Sequence, residues 1–365
     1  MASGTGAQIG LAKINSLYSN VTTINIFQSF VSETLEHTLE ELEEGAISGR
    51  RDAPISYKGI EKADGDLELE LNPNNFAHFL KGWFGTHVAS TVTAAGSTGA
   101  NSGDTAGQPY NWHRFTPRQL AYSGFTFLEP YNVMVYRDVG SAWILKGAIF
   151  PKLMIDISAG AIVKGTVGVM ARSIERMDRV PIVQSLVSSG GRPWIWDMAS
   201  VEISTVGIGS ANLIARTNFE SIKLTFDMKH EGVVVLDGTK FQAEFQPSDF
   251  RRINIEGNMT FRDQTDYEAF IAYESKGARI TLQNVNSNIV LGNPASVSAA
   301  NFQGYFGMRI NIPRMKFLSW SAPVKGPNRL TAAFTAKAEY DEVSGKMVDI
   351  ELNATVSSTV LTTVY

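Results

Sequence analysis

Leu67, Leu69 and Leu71 alternate with polar residues, and so do Ile222, Leu224, Phe226 and Met228. A period of two puts such residues on one side of an extended chain, so each run predicts a strand with one buried face. The segment "GDLELELNPNNFAHFLKGWFG" (65–85) then changes period. A polar cap at Asn72, with Pro73 suited to a first helical turn, precedes Phe76, Phe79, Leu80 and Trp83 on one helical face, and Gly85 ends the helix. The segment "GNMTFRDQTDYEAFIAYESKG" (257–277) has the same length and the same order of parts. Met259 and Phe261 alternate, Asp263 or Thr265 serves as the cap, Tyr267, Phe270 and Ile271 share a face, and Gly277 is the stop.

Two further matches lie in the same order. "FPKLMIDISAGAIVKG" (150–165) pairs with "IPRMKFLSWSAPVKG" (312–326), and "TVGVMARSI" and "TAAFTAKAEY" follow as β-rich runs. Ordered self-similarity of this kind predicts an internal duplication. The halves fall at residues 1–178 and 190–365, joined by a connector at 179–189 within "VPIVQSLVSSGGRPW". The expected fold class is mainly β, with two tandem β-sandwich or β-barrel domains, each with one short flanking α-helix. The halves differ in loops: "STVTAAGSTGANSGDTAGQPYN" in the first has no apolar periodicity and predicts an exposed mobile loop.

"SETLEHTLEELEEG" (32–45) carries six glutamates and no lysine or arginine. Leu35, Leu39 and Leu42 stand at helical spacing among strong helix formers, so local propensity favours a helix. Setting Glu44-Gly45 on Glu231-Gly232 lays "ETLEHTLEELEEG" over "ESIKLTFDMKHEG", whose alternation is that of a strand. A strand is therefore expected here too, with Leu35, His37 and Leu39 buried and Glu36, Glu40 and Glu44 opposite. The phase slips where Glu41 meets Met228, which requires a β-bulge near Glu40 to Leu42.

Composition narrows the function. Charged residues make up only 19% of 365 residues, and 44% are hydrophobic, enough for a substantial core. A net charge of −4 disfavours a protein that grips nucleic acid, since phosphate binding needs a surplus of Lys and Arg. Absence of cysteine excludes disulfides, thiolate zinc sites and cysteine nucleophiles. The N-terminal stretch has no signal-peptide pattern, and no window is apolar for long enough to span a membrane, so a soluble protein is expected. The five histidines show no metal-ligand spacing, and His78 is expected to be a packing residue. "GIGSA" and "SGKMVD" are near misses for a nucleophile elbow and a phosphate loop, so neither catalysis nor a cofactor is expected. Trp83, Trp143 and Trp196 are expected in the core.

The acidic strand, the loop "AISGRRDAPISYKGIEKAD" after it, the strand-cap-helix segment and a hairpin ending "KGTVGVMARS" resemble, in that order, the tail tube proteins of long-tailed bacteriophages. That family shares its fold with the tubes of type VI secretion systems. The resemblance implies a β-sandwich unit with a flanking helix, six units per ring, and inner strands closing a barrel around a channel. Rings stack around a tape measure protein, with tail terminator and distal tail proteins at the ends. Double-stranded DNA later passes through without specific binding. A chain with two units would form a homotrimeric, pseudo-hexameric ring in the virion, assembled in the host bacterial cytoplasm and not inserted in a membrane. The resemblance further implies lumen-facing Glu36, Glu40 and Glu44, matched in the second half by Lys223, Asp227 and Glu231, with carboxylates repelling phosphates. It makes Arg50, Arg51, Asp52 and Lys58 candidates for an inter-ring loop. The alternative is a carbohydrate-binding β-sandwich of a phage or bacterial surface protein, with a hydrolase third.

Overall fold

The computed structural model describes residues 6–19, 23–45, 52, 55–92, 110–119, 128–177, 193–204, 213–262, 264–283, 307–324, 329–354 and 361. The expected connector at 179–189 lies outside the described residues, as does most of the Gly/Ser/Thr-rich loop, 93–109.

In chain order the first half contributes β1 (Gln8–Lys13), β2 (Ile26–Gln28), β3 (Ser32–Glu33), β4 (Glu36–Glu43), β5 (Ser56–Glu70), β6 (Gly85–Val92), β7 (Tyr110–Pro117), β8 (Tyr131–Tyr136), β9 (Trp143–Ser158), β10 (Lys164–Ala171) and β11 (Ser173–Arg176). The second contributes β12 (Ala199–Ser204), β13 (Leu213–Arg216), β14 (Phe219–Asp227), β15 (His230–Val233), β16 (Glu244–Pro247), β17 (Arg252–Thr260), β18 (Lys276–Gln283), β19 (Gly307–Ser321), β20 (Thr331–Ala338) and β21 (Asp349–Ala354). Helix α1 (Ala77–Phe84) lies in the first half and α2 (Thr265–Ile271) in the second. The protein is mainly β, as expected, and among the described residues the sheets of one chain do not close into a barrel.

A central antiparallel sheet runs β4–β5–β10–β9–β14–β17–β20–β19 through both halves. Its registers repeat. Glu36 faces Asp64 in the first half, and their aligned counterparts Lys223 and Glu256 face each other in the second. Leu67 likewise faces Val167, and Met259 faces Ala332. Strands β9 and β19 are long because each serves two sheets. Residues 143–148 of β9 pair with β8 and β11 before residues 152–158 pair with β14, and residues 307–312 of β19 lie between β18 and β21 before residues 315–321 pair with β20. Gly147 makes the bend in β9 at φ 61°, and a Cβ there would sit 2.5 Å from the Leu17 carbonyl oxygen.

One face of the central sheet is core. Leu67, Leu69, Val167, Leu153, Ile155, Leu224, Phe226, Ile255 and Phe334 are all buried on it. Helix α1 packs there with all eight residues buried, and Gly85 ends it at φ 72°, as the sequence predicts. Asn72 does not cap the helix itself. Its Oδ1 accepts the backbone N–H groups of Asn74 and Asn75, both at 2.9 Å, forming a turn that delivers the chain to Ala77. Trp83 packs edge-on against Phe84 and against Phe226 of β14, so the two halves share one core. His78 is fully buried, as expected. Helix α2 is shorter and less covered: Ile271 is exposed, the helix ends at Ala272, and Gly277 belongs to β18 instead of stopping it. Gln264 stands at its N-cap, and Asp263 lies outside the described residues. Trp143 and Trp196 are exposed, contrary to expectation: Trp143 is the first residue of β9, and Trp196 the first of a single 3-10 turn, Trp196–Met198.

Candidate channel face

The acidic segment is a strand. Pairing of β4 along β5 supplies ladder hydrogen bonds that outweigh a helix propensity worth only tenths of a kcal/mol per residue. The expected bulge occurs where the register shifts between Leu39 and Glu41, but the extra residue is on β5, where Gly59 and Ile60 stand opposite Glu40. A Cβ on Gly59 would lie 2.9 Å from the Glu40 carbonyl oxygen. Strand β4 therefore keeps its alternation, and Leu42 joins Glu36, Glu40 and Glu44 on the polar side.

Burial departs from expectation on the opposite side. Leu35 is buried, while His37 is exposed and Leu39 is 49% exposed. Their aligned counterparts Ile222, Leu224 and Phe226 are all buried. The difference has a direct cause: β14 is flanked by β17 and β9, whereas among the described residues β4 has only β5 beside it.

The polar face extends across all eight strands. On the first-half strands it carries Glu36, Glu40, Asp64, Asp66, Glu68, Glu70 and Asp156, with Glu44 just beyond β4, against Lys62, Lys152 and Lys164. On the second-half strands it carries Asp227 and Glu256 against Lys223, Arg252, Lys316 and Lys337. The first half of this face is thus strongly acidic and the second mildly basic.

Local pairing tunes these charges. Glu40 accepts from Lys62 at 2.6 Å, which raises the Lys62 pKa above its ordinary value. Glu68 accepts from Lys164 at 2.7 Å and from the Ser32 hydroxyl at 2.9 Å, and its carboxyl is held below the usual range. Glu44 accepts the Tyr57 hydroxyl at 3.0 Å. On the other side of the hairpin, burial pushes Glu61 up, but hydrogen bonds from Lys58 and His37 outweigh it and hold the carboxyl low.

The structure brings Glu36, Glu40, Lys223 and Asp227 onto one face, with Glu44 at its margin. Glu231 is not on it. Lys229, at φ 50° and bonded to Asp227 at 2.7 Å, turns the chain out of β14, and Glu231 sits exposed in the separate β15–β16 hairpin. Asp52 is exposed, Lys58 is tied to Glu61, and Arg50 and Arg51 lie outside the described residues. Sequence reasoning missed the acidic row of β5, Asp64 to Glu70, although the alternation of leucine with glutamate there carries the signal.

The sheet has two unpaired edges: β4 has no neighbour beyond β5, and residues 316–321 of β19 have none opposite β20 among the described residues. A long open sheet with one polar face suits assembly better than isolation. The family model for phage tail tube protein matches residues 4–338. No curated protein matches the chain. With that match spanning most of its length, the chain belongs to the phage tail tube protein family.

Proposed function

We propose that this structural virion protein assembles as homotrimeric, pseudo-hexameric rings stacked into the tail tube, with the polar face of the central sheet lining the channel. The carrying observation is that sheet, which runs through both halves with a buried side, a polar side and an open edge at each end. The repeated registers support a duplicated unit at 1–178 and 190–365, so that three chains supply six units. Its partners are then further copies of itself, a tape measure protein during assembly, and tail terminator and distal tail proteins at the tube ends. The protein acts as a conduit and performs no catalysis. Assembly takes place in the host cytoplasm.

Around such a ring, acid-rich and base-rich sectors alternate three times. Their excess of carboxylates repels DNA phosphates, while the dispersed lysines keep the wall from being uniformly acidic. Double-stranded DNA passes without a binding site. The family match lends the carbohydrate-binding reading no support; Trp83 and Trp194 are wholly buried, and the exposed Trp143 and Trp196 lie on separate elements. Light scattering and negative-stain imaging of the purified chain test the proposal. Particles of three times the 39.9 kDa chain mass, or tubes, are expected, and a protein monomeric under all assembly conditions overturns it.

A further inference from the structure

Resting on the ring reading above, we propose that the open edge of β4 receives the open edge of β19, residues 316–321, from a second copy, and that opposite charge on these two edges selects the pairing. The chain contains a finished seam of this kind. Where β9 of the first half meets β14 of the second, Asp156 faces Lys223 and Lys152 faces Asp227, two reciprocal opposite-charge pairs on the polar side. Such cross-strand pairs stabilise the pairing and disfavour shifted registers.

The two open edges are mismatched within their own chain in complementary ways. On β4, Glu36 stands directly opposite Asp64 of β5, an acid facing an acid. On β19, Lys316 stands directly opposite Lys337 of β20, a base facing a base. Like charges in that position are unfavourable, and each pair is relieved by a strand of opposite sign on its free side. Lys316 is already at the edge, with its Nζ 3.9 Å from the centroid of the Tyr273 ring. Glu339 neutralises part of the basic end, lying 3.2 Å from Lys337 and 3.3 Å from Arg314, and leaves Lys316 outside that network. Leu39 and Leu42 of β4 and Leu318 of β19, all about half exposed, are the apolar groups that a docked strand would cover.

The charges also exclude the wrong product. Two β4 edges would bring glutamates together and two β19 edges would bring lysines together, so a dimer through like edges is repelled. Head-to-tail contact remains, the kind that closes into a ring when the rotation between copies allows it.

A charge-reversal cycle on the full-length protein tests this, read as the concentration for half-assembly by light scattering. Variants Glu36→Lys/Glu40→Lys and Lys316→Glu/Lys337→Glu are each expected to raise that concentration at least ~10-fold, and the quadruple variant to return to within ~3-fold of wild type, as cross-strand coupling requires. Circular dichroism checks that each variant is folded. Wild-type assembly should also weaken several-fold between about 50 mM and 500 mM NaCl as the ion pairs are screened, which needs no variant. Rings that form equally well in both double variants and at both salts overturn the charge selection while leaving the ring intact. A wild-type protein that never assembles overturns the ring reading itself, and this proposal with it.

Discussion

Replacing Trp83 with alanine should cost the dispersed subunit about 4 kcal/mol, within the ~3–5 kcal/mol range for Trp truncation in a core. Trp83 has no exposed surface and fills the space between α1 and β14, 5.5 Å from the Phe226 ring centroid and 4.5 Å from that of Phe84. Its indole N–H donates to the Pro151 carbonyl at 3.2 Å, but that oxygen also accepts the Met228 N–H at 2.9 Å. Loss of the indole therefore leaves no orphaned carbonyl, and the cavity dominates the cost. Trp196, 49% exposed, provides the contrast: its alanine variant should lose less than about 1 kcal/mol. Urea titrations below the assembly concentration measure both, with a shared m-value as the check on two-state behaviour. The reasoning fails if Trp83→Ala costs under about 1 kcal/mol, or if the two variants cost the same.

Other consequences follow from the same interior and face. Burial without a hydrogen-bond partner pushes His78 down to about 3. A depressed folded pKa means that the unfolded chain binds the proton first. This contribution to stability is whole above about pH 6.5 and is lost toward pH 3, at ~1.4 kcal/mol per pH unit. His78→Gln should flatten the fall in stability between about pH 6 and 4, and an unchanged slope would count against a neutral buried imidazole. Gly147→Ala should cost about 2 kcal/mol or more in urea titrations, from a left-handed φ and the nearby Leu17 carbonyl, and a neutral effect would contradict the bend described. Asp66→Lys/Glu70→Lys, placed away from both sheet edges, should leave tubes intact in micrographs but slow DNA ejection from phage particles. Unaltered ejection kinetics would remove these residues from the channel wall.

Much of this was legible where periodicity was strong and local. Leucine alternation located β5, α1 appeared from Phe76 to Trp83 with Gly85 as its stop, and alignment on β14 converted the acidic segment from helix to strand. What stayed hidden depends on distant partners. Burial at His37 and Leu39 needs a strand beside β4, and the described residues supply none, although they supply β9 to the matching positions of β14. The bulge was placed correctly along the chain but on the wrong strand, because the glycine that admits it, Gly59, is on β5. Alignment on Glu44 puts Glu231 on the face, whereas β14 ends at Asp227 and the positive φ at Lys229 turns the chain away before Glu231. Trp143 and Trp196 lie in apolar runs, and only tertiary placement exposes them.

A density map of the assembled tube would test the central claim most directly, because it gives both the number of chains per ring and the residues facing the lumen. Three chains per ring, with Asp66, Glu68, Lys223 and Asp227 on the channel wall and the leucines of β5 behind it, is the predicted result. Six chains per ring, or a channel lined by the opposite face of the sheet, would contradict it.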